Sequence, residues 1–187
     1  MERRGPEGGS HMERDASIIQ LCQQGHRAGF SRLVEAYQER VYRTAYAFVQ
    51  HREDAQDLTQ EVFLRTVRAI DSLDAGRPLW PWLRRVTTNL ALSHLKRRRG
   101  HLSLDDLPEA ALLVAHGTEP AWTMLDLERA LADLPPLWRM ALVLRHQEGL
   151  AYEEIARMLD LPVGTVKTYL FRARRALRAR LETEGVE

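Results

Sequence analysis

A single cysteine, Cys22, stands in 187 residues, so the chain cannot close a disulfide within itself. That suits a reducing compartment, and a cytoplasmic location is the expectation. No apolar run reaches the length a bilayer requires, and no signal peptide is visible, so membrane insertion is not expected. Catalytic patterns are missing too. There is no GxxxxGK[ST], no HExxH and no nucleophile with an ordered base, so neither an enzyme nor a cofactor is expected. Cys22 and His26 are four apart, but two ligands do not make a zinc site, and no CxxC or HxxxH supports them. Cys22 therefore reads as core, and no metal is expected. Nothing in the chain reads as a strand.

Net charge is nearly absent as well, with 27 basic residues against 26 acidic ones. The average hides a sharp segregation. From Trp80 to His101 the charged residues are Arg84, Arg85, Lys96, Arg97, Arg98 and Arg99, with no acid. From Val163 to Leu181 they are Lys167, Arg172, Arg174, Arg175, Arg178 and Arg180, again with no acid. Acids gather over 53–61 and 105–133. Two separate basic surfaces suggest two contacts with a polyanion.

The most informative stretch is Leu150–Leu181. A short helix over Tyr152–Leu159 places Ile155, Ala156 and Leu159 at helical spacing. Asp160-Leu161-Pro162 breaks it, because proline disfavours helix in the residue before it. A second helix starts near Val163. Val166, Leu170, Ala173, Leu177 and Leu181 form its apolar stripe, with Gly164, Thr168, Phe171, Arg172 and Arg175 opposite. A small residue where the helices cross (Ala156), an apolar clamp (Val166) and a basic outer face suit a helix-turn-helix in the major groove of DNA. The turn position that glycine often fills is Asp160, and aspartate tolerates the left-handed conformation better than most residues.

The remaining chain reads as helices and breaks. Residues 1–15 are expected to be a disordered extension, and Gly9-Ser10-His11-Met12 resembles a cloning scar. Ala16–Gln24 has a short helical pattern, and Gly25 and Gly29 bracket a break. Phe30–Val49 is a long amphipathic helix. Arg52–Ile70 is another, with Asp54, Asp57 and Glu61 aligned on one face and Leu58, Val62 and Phe63 on the other. An acidic face can be simple solvation or a docking surface for a basic helical partner. Asp71–Pro81 is a loop with glycine and prolines. Trp82–Arg99 is a helix ending in the basic run, with Gly100 as its C-cap. Basic residues beside Trp80 and Trp82 are the mixture that holds separated DNA strands; Trp82 reads as core, and Trp80 is left open. Residues 101–120 are a linker. Helices over Ala121–Leu134 and Leu137–Gln147, divided by Pro135-Pro136, complete a four-helix C-terminal module. The fold class is all-α, with two small helical domains joined by a flexible linker, the second a helix-turn-helix. The domain bounds are 16–100, 101–120 and 121–187.

Together these blocks resemble the extracytoplasmic-function (ECF) type of bacterial RNA polymerase sigma factor. The resemblance rests on four blocks in order. They are Arg52 through Phe63; Trp82-Leu83-Arg84-Arg85 with Asn89; Leu134-Pro135 with Arg139; and Gly149 through Ala156 with Pro162 through Lys167 and Arg172-Ala173-Arg174. It implies an initiation factor that binds polymerase core, recognises the −35 and −10 elements and aids melting. Asp54, Asp57, Gln60 and Glu61 would dock on the clamp helices of the largest subunit, and the flap is a further contact. The Asp74–Pro81 loop would capture a flipped base. Asp74, Arg77, Trp80, Arg84, Arg85, Asn89, Lys96, Arg97, Arg98 and Arg99 would hold −10 DNA, duplex and melted. Thr165, Lys167, Thr168, Phe171, Arg172 and Arg175 would contact the −35 element. An anti-sigma factor is an implied partner. Ser93, Thr87-Thr88 and Tyr169 depart from the usual pattern. A one-component regulator with an N-terminal sensor would explain the helix-turn-helix but neither the acidic face nor the basic tryptophan segment. A helical enzyme with a DNA-binding appendage lacks a catalytic constellation.

Overall fold

The computed structural model describes residues 7–99 and 124–184. Among them there are helices and turns and no strand. Backbone contacts divide the chain into two compact units, Met1–Tyr46 with His51–Ala91, and Ala47–Gln50 with Leu92–Glu187. The expected linker, 101–120, lies outside the described residues, as do Gly100 and Trp122.

The first unit is built from α1 (Glu7–Gln23), α2 (Arg27–Val49), α3 (Arg52–Ala69), a turn of 3-10 helix (Ile70–Ser72) and the start of α4 (Trp80–Arg99). Ile18, Ile19, Leu33, Val41, Val62 and Leu83 are almost wholly buried in it. Gly25 ends α1 with a positive φ of 74°, the left-handed conformation that glycine adopts without steric cost. Gly29 admits α2 against α1, since a Cβ there would stand 2.7 Å from the Cys22 backbone nitrogen. Cys22 is buried in this crossing, as a core residue should be.

One expectation fails at the start of the chain. The stretch through residue 15 is not structureless from Glu7 onward, because α1 begins there. Asp15 is 2% exposed and bonded to two distant groups. Polar composition before residue 16 hides this, because the partners of Asp15 lie far along the chain.

Buried threonines recur in the helices. Thr59, Thr66, Thr87 and Thr88 each donate their hydroxyl to the carbonyl four residues earlier. This local bond satisfies a buried polar group without a partner from elsewhere. It explains how Thr87-Thr88 stands where the pattern favours apolar residues.

In the second unit α5 (Met124–Ala132), α6 (Pro136–His146), α7 (Tyr152–Leu159) and α8 (Val163–Glu184) pack around Trp138, Met140, Leu144, Ile155, Val166 and Leu170. Pro136 occupies the first turn of α6, where its missing N–H costs nothing. Tyr169 is buried and tilted against Trp138, with ring centroids 6.3 Å apart. Its departure from the family pattern therefore lies in the core, not on the outer face.

Arg139 is 4% exposed and earns its place by stitching α5 to α6. Its Nη1 donates to the carbonyls of Leu131, Ala132 and Leu134 at 3.3, 3.2 and 3.0 Å. Leu131 and Ala132 end α5 and Leu134 follows it, so the guanidinium gathers oxygens at and just past a helix C-terminus, where a cation suits the negative end of the dipole. Arg139→Ala should lower stability by about 2–3 kcal/mol, read as the denaturation midpoint. Arg139→Lys should recover little, because an ammonium cannot reproduce the guanidinium fork.

Candidate nucleic-acid interface

The turn between α7 and α8 has the expected geometry. Asp160 sits at φ 56° and ψ 52°, in the left-handed region. Its N–H and that of Leu161 both return to the Ala156 carbonyl. The Glu154 carboxylate accepts the Ala151 N–H at 2.8 Å and closes the start of α7. Ile155, Ala156 and Leu159 face inward against Val166 and Leu170.

This packing rolls α8 so that one face is left outside. Lys167, Thr168 and Phe171 are exposed on it. Phe171 is 61% exposed, a large ring with no core to fill. Thr165, Arg172 and Arg175 are half-buried at its margin. Thr168 donates its hydroxyl to the Gly164 carbonyl at 3.0 Å. Val166, Leu170, Ala173 and Leu181 are buried on the opposite side. A rod with a cationic, partly aromatic outer face is what a major groove accommodates.

A second candidate surface runs along α3. Ala55, Leu58, Thr59, Val62 and Thr66 are its buried side. Asp57 and Gln60 are exposed on the other side, and Glu61 is partly exposed, its carboxylate 2.8 Å from Arg65 Nε. Asp54 differs from the other acids. Its side chain is 19% exposed and lies 3.4 Å from His51 Nδ1, while its N–H is directed at the same imidazole. Asp54 thus belongs to the N-terminal cap of α3, where a carboxylate also suits the helix dipole. Leu64 and Val67, 52% and 41% exposed, continue the Asp57–Glu61 face by one and two turns. Sequence reading missed them because it followed charge; extending the same helical spacing would have found them.

The third candidate surface is the loop before α4 and the helix itself. Asp74 accepts the Gly76 N–H at 2.8 Å and lies 3.2 Å from Arg77 Nε. Asp74 and Arg77 are exposed, as are Arg85, Asn89, Lys96, Arg97 and Arg98; Arg84 is half-buried. The Arg99 side chain lies outside the described residues. The helix starts at Trp80, two residues before the expected Trp82, because Pro81 is accepted in a first turn.

Trp80, expected among the strand contacts, lies inside the first unit. It is 7% exposed. Its ring stacks on Tyr37 at 6.3 Å and 7°, and the Arg40 guanidinium lies over it at 3.8 Å from the centroid. With both neighbours in place the ring is not open to a base. Trp82, expected in the core, is half-buried instead. Tyr37 also donates to Asp15 Oδ1 at 2.6 Å. Burial, then the Asp15 bond, push its phenol up to about 12. Among the described residues no group of His, Cys, Asp and Glu could hold a metal, and no helix is long and apolar enough to cross a membrane.

Comparison with known proteins agrees with this geometry. Residues 33–101 match the family model for Sigma-70 region 2, and 124–177 match that for Sigma-70, region 4. The chain is 40% identical over 162 residues to ECF RNA polymerase sigma factor SigE of Mycolicibacterium smegmatis, spanning 83% of this chain and 62% of that protein. It is 35% identical to the ECF RNA polymerase sigma-E factor of Escherichia coli K12, over 87% of this chain and 92% of that one. It is 31% identical to SigW of Bacillus subtilis, over 87% of this chain and 94% of that one. In fold it resembles the sigma factor RpoE of Bartonella quintana, solved with the anti-sigma factor NepR. The TM-score there is 0.60 at 23% identity, covering 83% of this chain and 98% of that one. CnrH, solved with the cytosolic domain of CnrY, gives 0.57 at 22%, covering 91% and 99%. The chain belongs to the ECF sigma factors of RNA polymerase, with region 2 ahead of region 4.

Proposed function

We propose that the chain directs RNA polymerase core to specific promoters by adding two DNA readers to an enzyme that otherwise binds DNA through charge alone. The observation that carries this is the outward face of α8, where Lys167, Thr168 and Phe171 stand exposed beside Arg172 and Arg175. On this reading α8 and Thr165 engage the −35 element. Arg172 or Lys167 bonds guanine edges, each good bidentate contact being worth about 1–3 kcal/mol.

The α3 face docks on the clamp helices through Asp57, Gln60 and Glu61, with Leu64 and Val67 as its apolar continuation. Asp54 contributes by holding the start of that helix. The Asp74–Leu79 loop captures an extruded base, which helps offset the stacking lost on melting. Arg84, Arg85 and Asn89 lie along the strand, and Lys96–Arg99 hold phosphates. Residues through 100 form the first functional unit, with its start moved from 16 to Glu7; 101–120 link it to 121–187. The chain works in the cytoplasm, performs no covalent chemistry, and has an anti-sigma factor and the polymerase flap as further partners.

Run-off transcription with core polymerase on a randomised promoter pool is the test. Added protein should enrich templates that share an upstream and a downstream element. Start points as scattered as those of core alone would end the proposal. The rival sensor–regulator reading requires binding to promoter DNA without polymerase, and the exposed α3 face has no use in it.

A further inference from the structure

Helix α1 lies wholly before the stretch that matches region 2, residues 33–101, and carries none of the candidate contacts. It nevertheless holds both ends of the loop assigned to base capture. At the entry, Gln23 Nε2 donates to the carbonyls of Ile70 at 3.1 Å and Leu73 at 3.0 Å. At the exit, Asp15 Oδ2 accepts the Leu79 N–H at 3.0 Å. Leu79 is the residue from which α4 starts, since its carbonyl receives the first helical bond from Leu83.

Asp15 and Gln23 are two turns apart on one helix, about 12 Å, so α1 acts as a rule of fixed length between the loop's ends. Between these anchors the loop makes its own short bonds, Gly76 N–H to Asp74 and Arg77 N–H to the Asp74 carbonyl. The exit anchor is reinforced. Asp15 also binds the Tyr37 hydroxyl, Tyr37 stacks on Trp80, and Arg40 covers the other member of that stack. Helix α4 has no acid in its first turn. Asp15 brings a carboxylate to that positive end from a residue 64 positions earlier in the chain.

We infer that α1 is the brace that sets the span of the strand-capturing loop, with Gln23 and Asp15 as positioning residues for recognition of the extruded base. The inference rests on the loop's proposed role. Preorganisation is what a base pocket needs. A loop with free ends would have to be ordered at the moment of capture, and that ordering would be subtracted from discrimination between bases.

The experiment uses reconstituted holoenzyme on promoters with a fixed upstream element and a randomised downstream one. Wild type, Gln23→Ala, Asp15→Ala, Asp15→Asn and a replaced 74–78 loop are compared, and core affinity and upstream preference are measured alongside. Gln23 is exposed, so its truncation tests the brace without threatening the fold. Gln23→Ala should reduce downstream discrimination about fivefold to tenfold, the worth of one or two net hydrogen bonds. Core affinity and upstream preference should not change. Asp15→Ala should do at least as much, and Asp15→Asn, which keeps an acceptor for the Leu79 N–H, should restore most of it. If loop replacement alters downstream preference and Gln23→Ala does not, the brace is rejected and the loop's role stands. If loop replacement also changes nothing, the loop's role falls and the inference with it. Equal losses in upstream and downstream preference would mark α1 as a folding element only, and overturn the inference.

Discussion

Asp57→Lys combined with Glu61→Lys should lower affinity for core polymerase by roughly a hundredfold or more while leaving the protein folded. Both side chains stand on the open face of α3, and neither supports the core. Glu61 loses an exposed pair with Arg65 and gains a like-charge neighbour, each worth a few tenths of a kcal/mol. Docked against a basic partner helix, two reversed charges would be held close to like charge in a partly desolvated contact, where the cost is several kcal/mol. Asp54 is left unchanged on purpose. Its part in the His51 cap means that reversing it would disturb the helix as well as the surface. Competition with a labelled sigma factor for a limiting amount of core reads the effect. A double variant that competes as well as wild type would remove α3 from the docking surface.

The second large effect is expected in α8. Lys167→Ala with Arg172→Ala should reduce binding to duplex bearing the upstream element by roughly a hundredfold, from about 1–3 kcal/mol at each position. Binding to scrambled duplex should fall much less, since the losses there are limited to phosphate attraction. Both duplexes must be measured at one salt concentration, because the charge contribution varies steeply with ionic strength. Equal losses on both would assign these side chains to the backbone and leave Thr165, Thr168, Phe171 and Arg175 as the candidates for reading bases. Arg172 is half-buried, so the unfolding midpoint of the variant is measured in parallel. A midpoint close to wild type assigns the loss to DNA contact.

The sequence by itself determined what depends on neighbours close along the chain. Apolar spacing located the helices, because a stripe at three- and four-residue intervals has one way to be buried. The helix-turn-helix was legible down to its turn. Asp160 adopts the left-handed conformation its short polar side chain tolerates, and Ala156 and Val166 are both buried. The acidic face of α3 and the cationic face of α8 were legible as well, since each repeats within a single helix. Tertiary structure alone decided which member of each ambiguous pair does what. Trp80 and Trp82 are two residues apart in the same basic segment, and no local rule says which ring is covered. Tyr37 and Arg40, from α2, cover Trp80. The same holds for Asp15, whose partners Tyr37 and Leu79 lie far along the chain, and for Arg139, which finds carbonyls near the end of α5 and that of Phe48. A buried polar side chain is defined by the groups that satisfy it, and those groups are brought to it only when the helices pack.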